Sequence, residues 1–89
     1  MNEQELEQAV KDVARQAARI RWNMPTWSGF DITIKRIELI DDVPSWRCYY
    51  DEPDTGTEED MIVEKKGTTL EASYTDDVIA TLQLPESEQ

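Results

Sequence analysis

The chain contains no histidine, a single cysteine and only three glycines among its 89 residues. Histidine is the commonest general base and the commonest metal ligand, so Ser-His and Cys-His catalytic pairs cannot be built within this chain. The lone Cys48 excludes an internal disulfide and is typical of a reducing compartment. Gly29, Gly56 and Gly67 stand apart, so no phosphate-binding glycine loop is present. We therefore expect no enzyme, no cofactor and no bound metal.

Long hydrophobic runs are also missing. No apolar stretch approaches the ~20 residues that a membrane-spanning helix needs. The N-terminus reads Asn2-Glu3-Gln4-Glu5, where an export signal would carry basic residues followed by an apolar segment. These two features predict a cytoplasmic protein.

Basic residues are scarce outside the N-terminal part of the chain. Nine Lys and Arg residues oppose 20 Asp and Glu residues, for a net charge of −11, and all of the acidic excess falls within residues 37–89, which carry 15 acids and 3 bases. Such a surface repels nucleic acid and anionic lipid and attracts basic protein surfaces. The densest acidic stretch supplies the candidate partner-binding residues, which are Asp41, Asp42, Asp51, Glu52, Asp54, Glu58, Glu59 and Asp60.

The loop from Asp51 onward fails as a calcium site. An EF-hand loop that started at Asp51 would have its glycine in place at Gly56. However, Pro53, Thr55 and Ile62 occupy positions 3, 5 and 12, where the EF-hand pattern needs acidic residues. Acids beside proline and glycine in a turn are typical of solvated side chains.

An amphipathic helix is predicted from Glu3 to Arg21. Its apolar stripe has spacings of three and four and consists of Leu6, Val10, Val13, Ala17 and Ile20. Asn2 and Glu5 have the spacing of an N-terminal capping box. Alanines beside the stripe would allow a sheet to approach closely.

Three strands are predicted after the helix. Alternating apolar residues begin at Phe30, and their phase slips near Lys35–Arg36, which indicates a β-bulge. The second strand is Trp46–Tyr50, with Cys48 on its apolar face, and the third is Met61–Lys65. Residues 68–72 fit either a short fourth strand or the approach to a last helix.

A short C-terminal helix is predicted from a second capping-box pattern. Ser73 and Asp76 have the required spacing, and Pro85 would end the helix. Its apolar residues would be Tyr74, Val78, Ile79 and Leu82. The predicted fold is therefore α+β, in the order αβββα, with both helices on one face of an antiparallel sheet. Residues 1–85 would form one domain and residues 86–89 a frayed acidic tail.

Two tryptophans lie in the loop that follows the first helix. Trp22 and Trp27 flank Met24 and Pro25, and a loop tryptophan either closes the core or anchors a partner. The sequence leaves both interpretations open, and Trp27 joins the candidate partner-binding residues.

The leading functional hypothesis is a small acidic inhibitor or regulator that binds the basic groove of a nucleic-acid-binding protein. Carboxylates on a strand recur at roughly phosphate-like intervals, so the protein would act as a nucleic-acid mimic of the anti-CRISPR type. The alternatives are an immunity or antitoxin-type protein with a dedicated toxin partner, and a structural subunit, as a homodimer for example, whose acidity serves solubility. The element order also resembles that of double-stranded-RNA-binding domains, but the third strand and last helix are acidic where those domains carry lysines.

Overall fold

A computed structural model describes residues 2–23, 32–40, 44–53 and 55–85. One helix precedes five strands, namely α1 (Glu3–Arg21), β1 (Ile34–Ile40), β2 (Ser45–Asp51), β3 (Glu58–Lys66), β4 (Thr69–Tyr74) and β5 (Asp77–Gln83). The strands form one antiparallel sheet in chain order, a meander, and α1 packs on one face of it. The predicted α+β class and the packing of the N-terminal helix on an antiparallel sheet are confirmed.

Helix α1 begins and ends where its sequence pattern indicates. The backbone N–H of Asn2 donates to Glu5 Oε1 at 3.0 Å, and the N–H of Glu5 donates to Asn2 Oδ1 at 2.8 Å, which completes the capping box. The face against the sheet consists of two valines and four alanines, Ala9, Val10, Val13, Ala14, Ala17 and Ala18. Of the predicted stripe, Val10, Val13 and Ala17 are buried and Leu6 is half-buried, whereas Ile20 is 54% exposed and lies outside the core. The small side chains let the helix axis lie close to the strands.

The core lies between α1 and the sheet face that we call the inner face. Its fully buried strand residues include Cys48, Tyr50, Val63 and Leu70. They alternate with exposed or half-buried residues along β2, β3 and β4, as expected for an antiparallel sheet with one buried face.

The predicted bulge in the first strand is present. Ile34 pairs with Tyr50 and Arg36 pairs with Tyr49, so Lys35 is an extra residue in β1. Because side chains alternate along a strand, one extra residue returns Ile37 to the same face as Ile34. The bulge thus reconciles the two apolar phases seen in the sequence.

The C-terminal prediction is wrong, because residues 77–83 form a fifth strand and not a helix. Ser73 pairs with Val78 inside the sheet and caps nothing. Thr75 and Asp76 both have positive φ, 48° and 74°, as a two-residue type I′ hairpin turn requires. The sheet therefore has five strands instead of three or four, and α1 is the only helix among the described residues that packs on its inner face.

The apolar residues near the C-terminus fit both the repeat of a helix and the alternation of a strand. This ambiguity explains why the sequence predicts a helix there. Val78, Ile79 and Leu82 fit a helical stripe, but Ala80, Leu82 and Leu84 also alternate. Ala80 and Leu84 are buried on the inner face. Pairing with β4 satisfies the backbone and buries this second set, so tertiary structure overrides the local helix signal. The predicted tail, residues 86–89, lies outside the described residues.

Candidate partner-binding surface

The sheet face opposite α1, which we call the outer face, carries most of the described charges of the strands. No described element covers it. Its charged side chains are six acids, Glu38, Asp51, Glu58, Asp60, Glu64 and Glu71, and four bases, Lys35, Arg36, Arg47 and Lys66. The face is thus acidic but contains both signs of charge.

Three of the predicted site residues come together on this face. Asp51 lies directly opposite Glu58, and Tyr49 lies directly opposite Asp60. Along β3, Glu58 and Asp60 are alternate residues, so their Cα atoms lie roughly 6.6–6.8 Å apart. The acidic stretch therefore does converge in part, across two neighbouring strands.

The remaining predicted residues do not join this group. Glu52 is only 5% exposed, and its carboxylate accepts hydrogen bonds from the backbone N–H and hydroxyl of Thr55, so it closes the β2–β3 loop. Glu59 is half-buried and pairs with Tyr50, on the other side of the sheet. The positions outside the described residues are Trp27, Asp41, Asp42 and Asp54.

Asp51 and Glu58 form a like-charged pair that one lysine bridges. Lys35 Nζ lies 3.1 Å from Asp51 Oδ1 and 3.0 Å from Glu58 Oε2, and Arg36 adds a contact of 3.3 Å to Glu58. The hydrogen bond from Lys35 lowers the pKa of Glu58, and the bonds to Glu58 and then Asp51 raise the pKa of Lys35. The extra residue of the β1 bulge, Lys35, is thus the base that bridges the two carboxylates.

Glu64 and Glu71 repeat the arrangement on the next pair of strands. They lie directly opposite each other in β3 and β4. Lys66 Nζ lies 3.3 Å from Glu71 and 3.7 Å from Glu64. Sequence reasoning missed both acids because they fall outside the dense acidic stretch. Glu58, Asp60 and Glu64 are separated by even numbers of residues in β3, so they lie on the same face of the strand. That spacing was the signal that could have revealed Glu64.

An aromatic ring lies among these charges. The Arg36 guanidinium stacks 3.8 Å above the centre of the Tyr49 ring, and the Tyr49 hydroxyl donates to Glu38 at 3.2 Å. Arg47 Nε lies 3.3 Å from Asp60. Five of the six outer-face carboxylates thus have a basic partner, and the sixth, Glu38, accepts a hydrogen bond from Tyr49.

Trp22 belongs to the fold and not to the outer face. It is half-buried against the core, and its indole N–H donates to the Tyr50 hydroxyl at 3.0 Å. Arg21 stacks on its ring at 4.7 Å and on the Tyr74 ring at 4.1 Å. Of the two loop tryptophans, Trp22 therefore helps to close the core.

Chemically reactive groups are few in the described part of the chain. Cys48 is fully buried, and burial raises the pKa of its thiol to about 12. Such a thiol stays protonated at neutral pH and is a poor nucleophile. Within residues 2–23, 32–40, 44–53 and 55–85, no three acidic or cysteine side chains are arranged to hold a metal ion, and no helix is long and apolar enough to cross a membrane.

Comparison with known proteins identifies no relative. No protein-family model, no curated protein and no solved structure matches this chain significantly.

Proposed function

We propose that this protein is a non-enzymatic regulator that binds a basic surface of another protein through its outer face. The observation that carries this proposal is the presence of two directly opposed carboxylate pairs, Asp51–Glu58 and Glu64–Glu71, on an uncovered sheet face. Like charges directly opposite in a sheet destabilise it. Each pair needs a lysine to offset the repulsion, and neutral polar residues would serve the fold better.

A basic partner gives these carboxylates a use. Lysines and arginines of the partner would compete with or replace Lys35 and Lys66 and relieve the remaining repulsion. The net charge of −11 would also speed the encounter with such a partner at low ionic strength. The stacked Tyr49 ring would supply contact area at the centre of the face.

The class of partner that we propose is a nucleic-acid-binding protein. Glu58 and Asp60 are alternate residues of β3, and the distance between them is about that between successive phosphates in one strand of nucleic acid. A basic groove that holds a phosphate backbone would therefore meet acids at similar intervals on the outer face. Inhibition would follow from direct competition with the nucleic acid.

The test compares two variants with the same change in net charge. Glu58→Lys with Glu71→Lys reverses one acid of each opposed pair. Asp12→Lys with Asp77→Lys reverses two exposed acids, on α1 and at the start of β5, away from the outer face. Tagged wild-type protein and both variants are used to capture proteins from a cell lysate, with elution by stepped salt and separately by excess DNA.

We expect the wild type and the Asp12/Asp77 variant to capture the same basic nucleic-acid-binding protein, which DNA displaces. The Glu58/Glu71 variant should lose it. If both variants lost the captured protein equally, only net charge would matter for binding. If both variants retained it equally, the outer face would be excluded as the binding surface. A captured protein that resists DNA and salt would instead favour a dedicated partner, as in an immunity or antitoxin-type protein.

A further inference from the structure

A second surface lies on the opposite side of the molecule, where the first turns of α1 meet β1. A groove of about 280 Å³ opens there between Glu3, Leu6, Glu7, Ile37, Leu39 and Trp46. Leu39 is 65% exposed although it lies on the inner face, opposite Trp46. An apolar cavity of roughly 150 Å³ holds a benzene molecule. The groove is therefore large enough for one leucine- or phenylalanine-sized side chain.

The strand that borders this groove, β1, lies at one end of the strand order in the five-stranded sheet. Within the described ranges, β1 pairs only with β2, so the backbone groups on its other side have no strand partner. An exposed strand edge readily accepts a further strand, and many peptide-binding domains use this mode of recognition. The groove and the free edge adjoin because both involve β1.

Two acids at the rim of the groove distinguish it from the outer face. Glu3 and Glu7 are four residues apart and lie on the same side of α1. Neither forms an ion pair with any residue that the structure describes, whereas most of the outer-face carboxylates have basic partners. The helix dipole stabilises a negative charge in the first turn, which explains an acid at Glu3. Glu7 lies beyond the first turn, so the dipole does not explain an acid there.

We propose that this groove binds an extended segment of a partner protein that carries an aliphatic residue with lysine or arginine two positions before and two positions after it, because alternate residues of a strand lie on the same face. The segment adds to β1 as a sixth strand, inserts its aliphatic side chain between Leu6 and Leu39, and places basic side chains beside Glu3 and Glu7. This site is separate from the outer face and does not depend on the function proposed for it.

Charge favours this occupant over a second copy of the chain. A dimer through β1 would bring two protomers together, each with a net charge of −11 and each with Glu3 and Glu7, which pair with no base among the described residues, beside the new interface. Like charges at close range oppose that association. A basic segment relieves the same charges.

The probe is a fluorescein-labelled peptide as long as β1, which has 7 residues. Its central residue is leucine, lysine stands two positions before and two positions after it, and threonine fills the other positions. The leucine and both lysines therefore lie on one face of the bound strand. A matched peptide replaces the central leucine with serine and keeps every charge. Fluorescence anisotropy at physiological salt measures the Kd, and amide chemical-shift changes in labelled protein locate the bound peptide.

We expect the leucine peptide to bind at least tenfold more tightly than the serine peptide, with the largest shift changes along Ile34–Ile40 and at Leu6. Leu39→Ser should weaken binding of the leucine peptide by roughly tenfold, because it removes one wall of the groove. Glu3→Gln with Glu7→Gln should weaken the binding of both peptides by roughly three- to tenfold, because two exposed ion pairs with the peptide are lost.

The control is Glu58→Gln with Glu71→Gln, which removes the same charge from the outer face. It should leave the affinity for the leucine peptide within about twofold of the wild type. Equal affinity for the two peptides, or equal weakening by both double variants, would show non-specific attraction and overturn the proposal. Sedimentation analysis that finds a dimer, dissociated by Leu39→Ser, would also overturn it by assigning the groove to a second copy.

Discussion

The indole Nε1 of Trp22 donates a hydrogen bond to the hydroxyl of Tyr50 across a distance of 3.0 Å. Trp22 caps the C-terminal end of α1, and Tyr50 is fully buried in β2. The bond therefore ties the end of the helix to the sheet on which it packs. It also gives the buried tyrosine hydroxyl a partner, which a buried polar group requires.

Replacing Tyr50 with phenylalanine should lower the free energy of unfolding by about 1–2 kcal/mol. The substitution removes the hydroxyl and leaves the half-buried Trp22 N–H without its acceptor. In a domain of this size that corresponds to a decrease in Tm of roughly 4–16 °C. Urea unfolding measures the change. The control is Tyr49→Phe, whose exposed bond to Glu38 should contribute less than about 0.5 kcal/mol; equal losses would contradict a structural role for the Trp22–Tyr50 bond.

Cys48 should make the protein less stable as the pH rises. Burial raises the pKa of its thiol from 9.0 to about 12, so between these values the unfolded chain loses a proton that the folded protein keeps. The contribution of the protonated thiol is complete below pH 9 and is lost as the pH rises toward 12, by up to about 1.4 kcal/mol per pH unit.

Urea unfolding at a series of pH values from 7 to 11 measures this effect. Cys48→Ala is the reference, because tyrosine and lysine ionisation affects both proteins alike. The difference in unfolding free energy between wild type and variant should be constant up to about pH 8.5 and then shift in favour of the variant. A difference that does not change with pH would mean that the folded thiol titrates normally.

Thr75 and Asp76 form the β4–β5 turn with positive φ, which a β-branched threonine adopts at a cost. Thr75→Asn with Asp76→Gly creates the sequence that type I′ turns prefer and should stabilise the protein by about 1 kcal/mol. The same pair of substitutions would destabilise a helix. Thermal unfolding shows whether Tm rises or falls. As a control, Thr81→Gly in β5 should lower Tm. A lower Tm for the variant that carries both Thr75→Asn and Asp76→Gly would contradict the hairpin.

Lys35→Gln should lower Tm, because it leaves Asp51 opposite Glu58 without the base that bridges them. The loss should be larger at low salt than at 1 M salt, where exposed charges are screened. Adding Glu58→Gln should restore much of the Tm, since the opposed pair then carries one charge. Lys11→Gln on α1 changes the net charge equally and should have a smaller effect; equal decreases would show that Lys35 acts only through net charge.

Local sequence signals were sufficient for α1 and for the β1 bulge. The capping residues Asn2 and Glu5 lie within one helical turn of each other, so the interaction that starts the helix is local. The bulge at Lys35 follows from a period-two pattern whose phase shifts once. Neither feature depends on which part of the chain packs nearby.

The C-terminal segment and the candidate site required the tertiary structure. Residues 77–83 carry an apolar pattern that fits either a helix or a strand, and their pairing with β4 determines which one forms. Glu64 and Glu71 become neighbours only through the register of β3 with β4, and Glu52 is distinguished from Asp51 only by burial. No sequence interval encodes these relationships.

The amino-acid sequence by itself determined the helix, the alternating strands, the acidic character and the absence of histidine, because composition and short-range periodicity are local properties. Only the tertiary structure decided how many strands form, which acids lie together and which apolar residues remain exposed at β1. Strand pairing joins residues that are distant in the chain, and a one-residue change of register moves every side chain to the opposite face of the sheet.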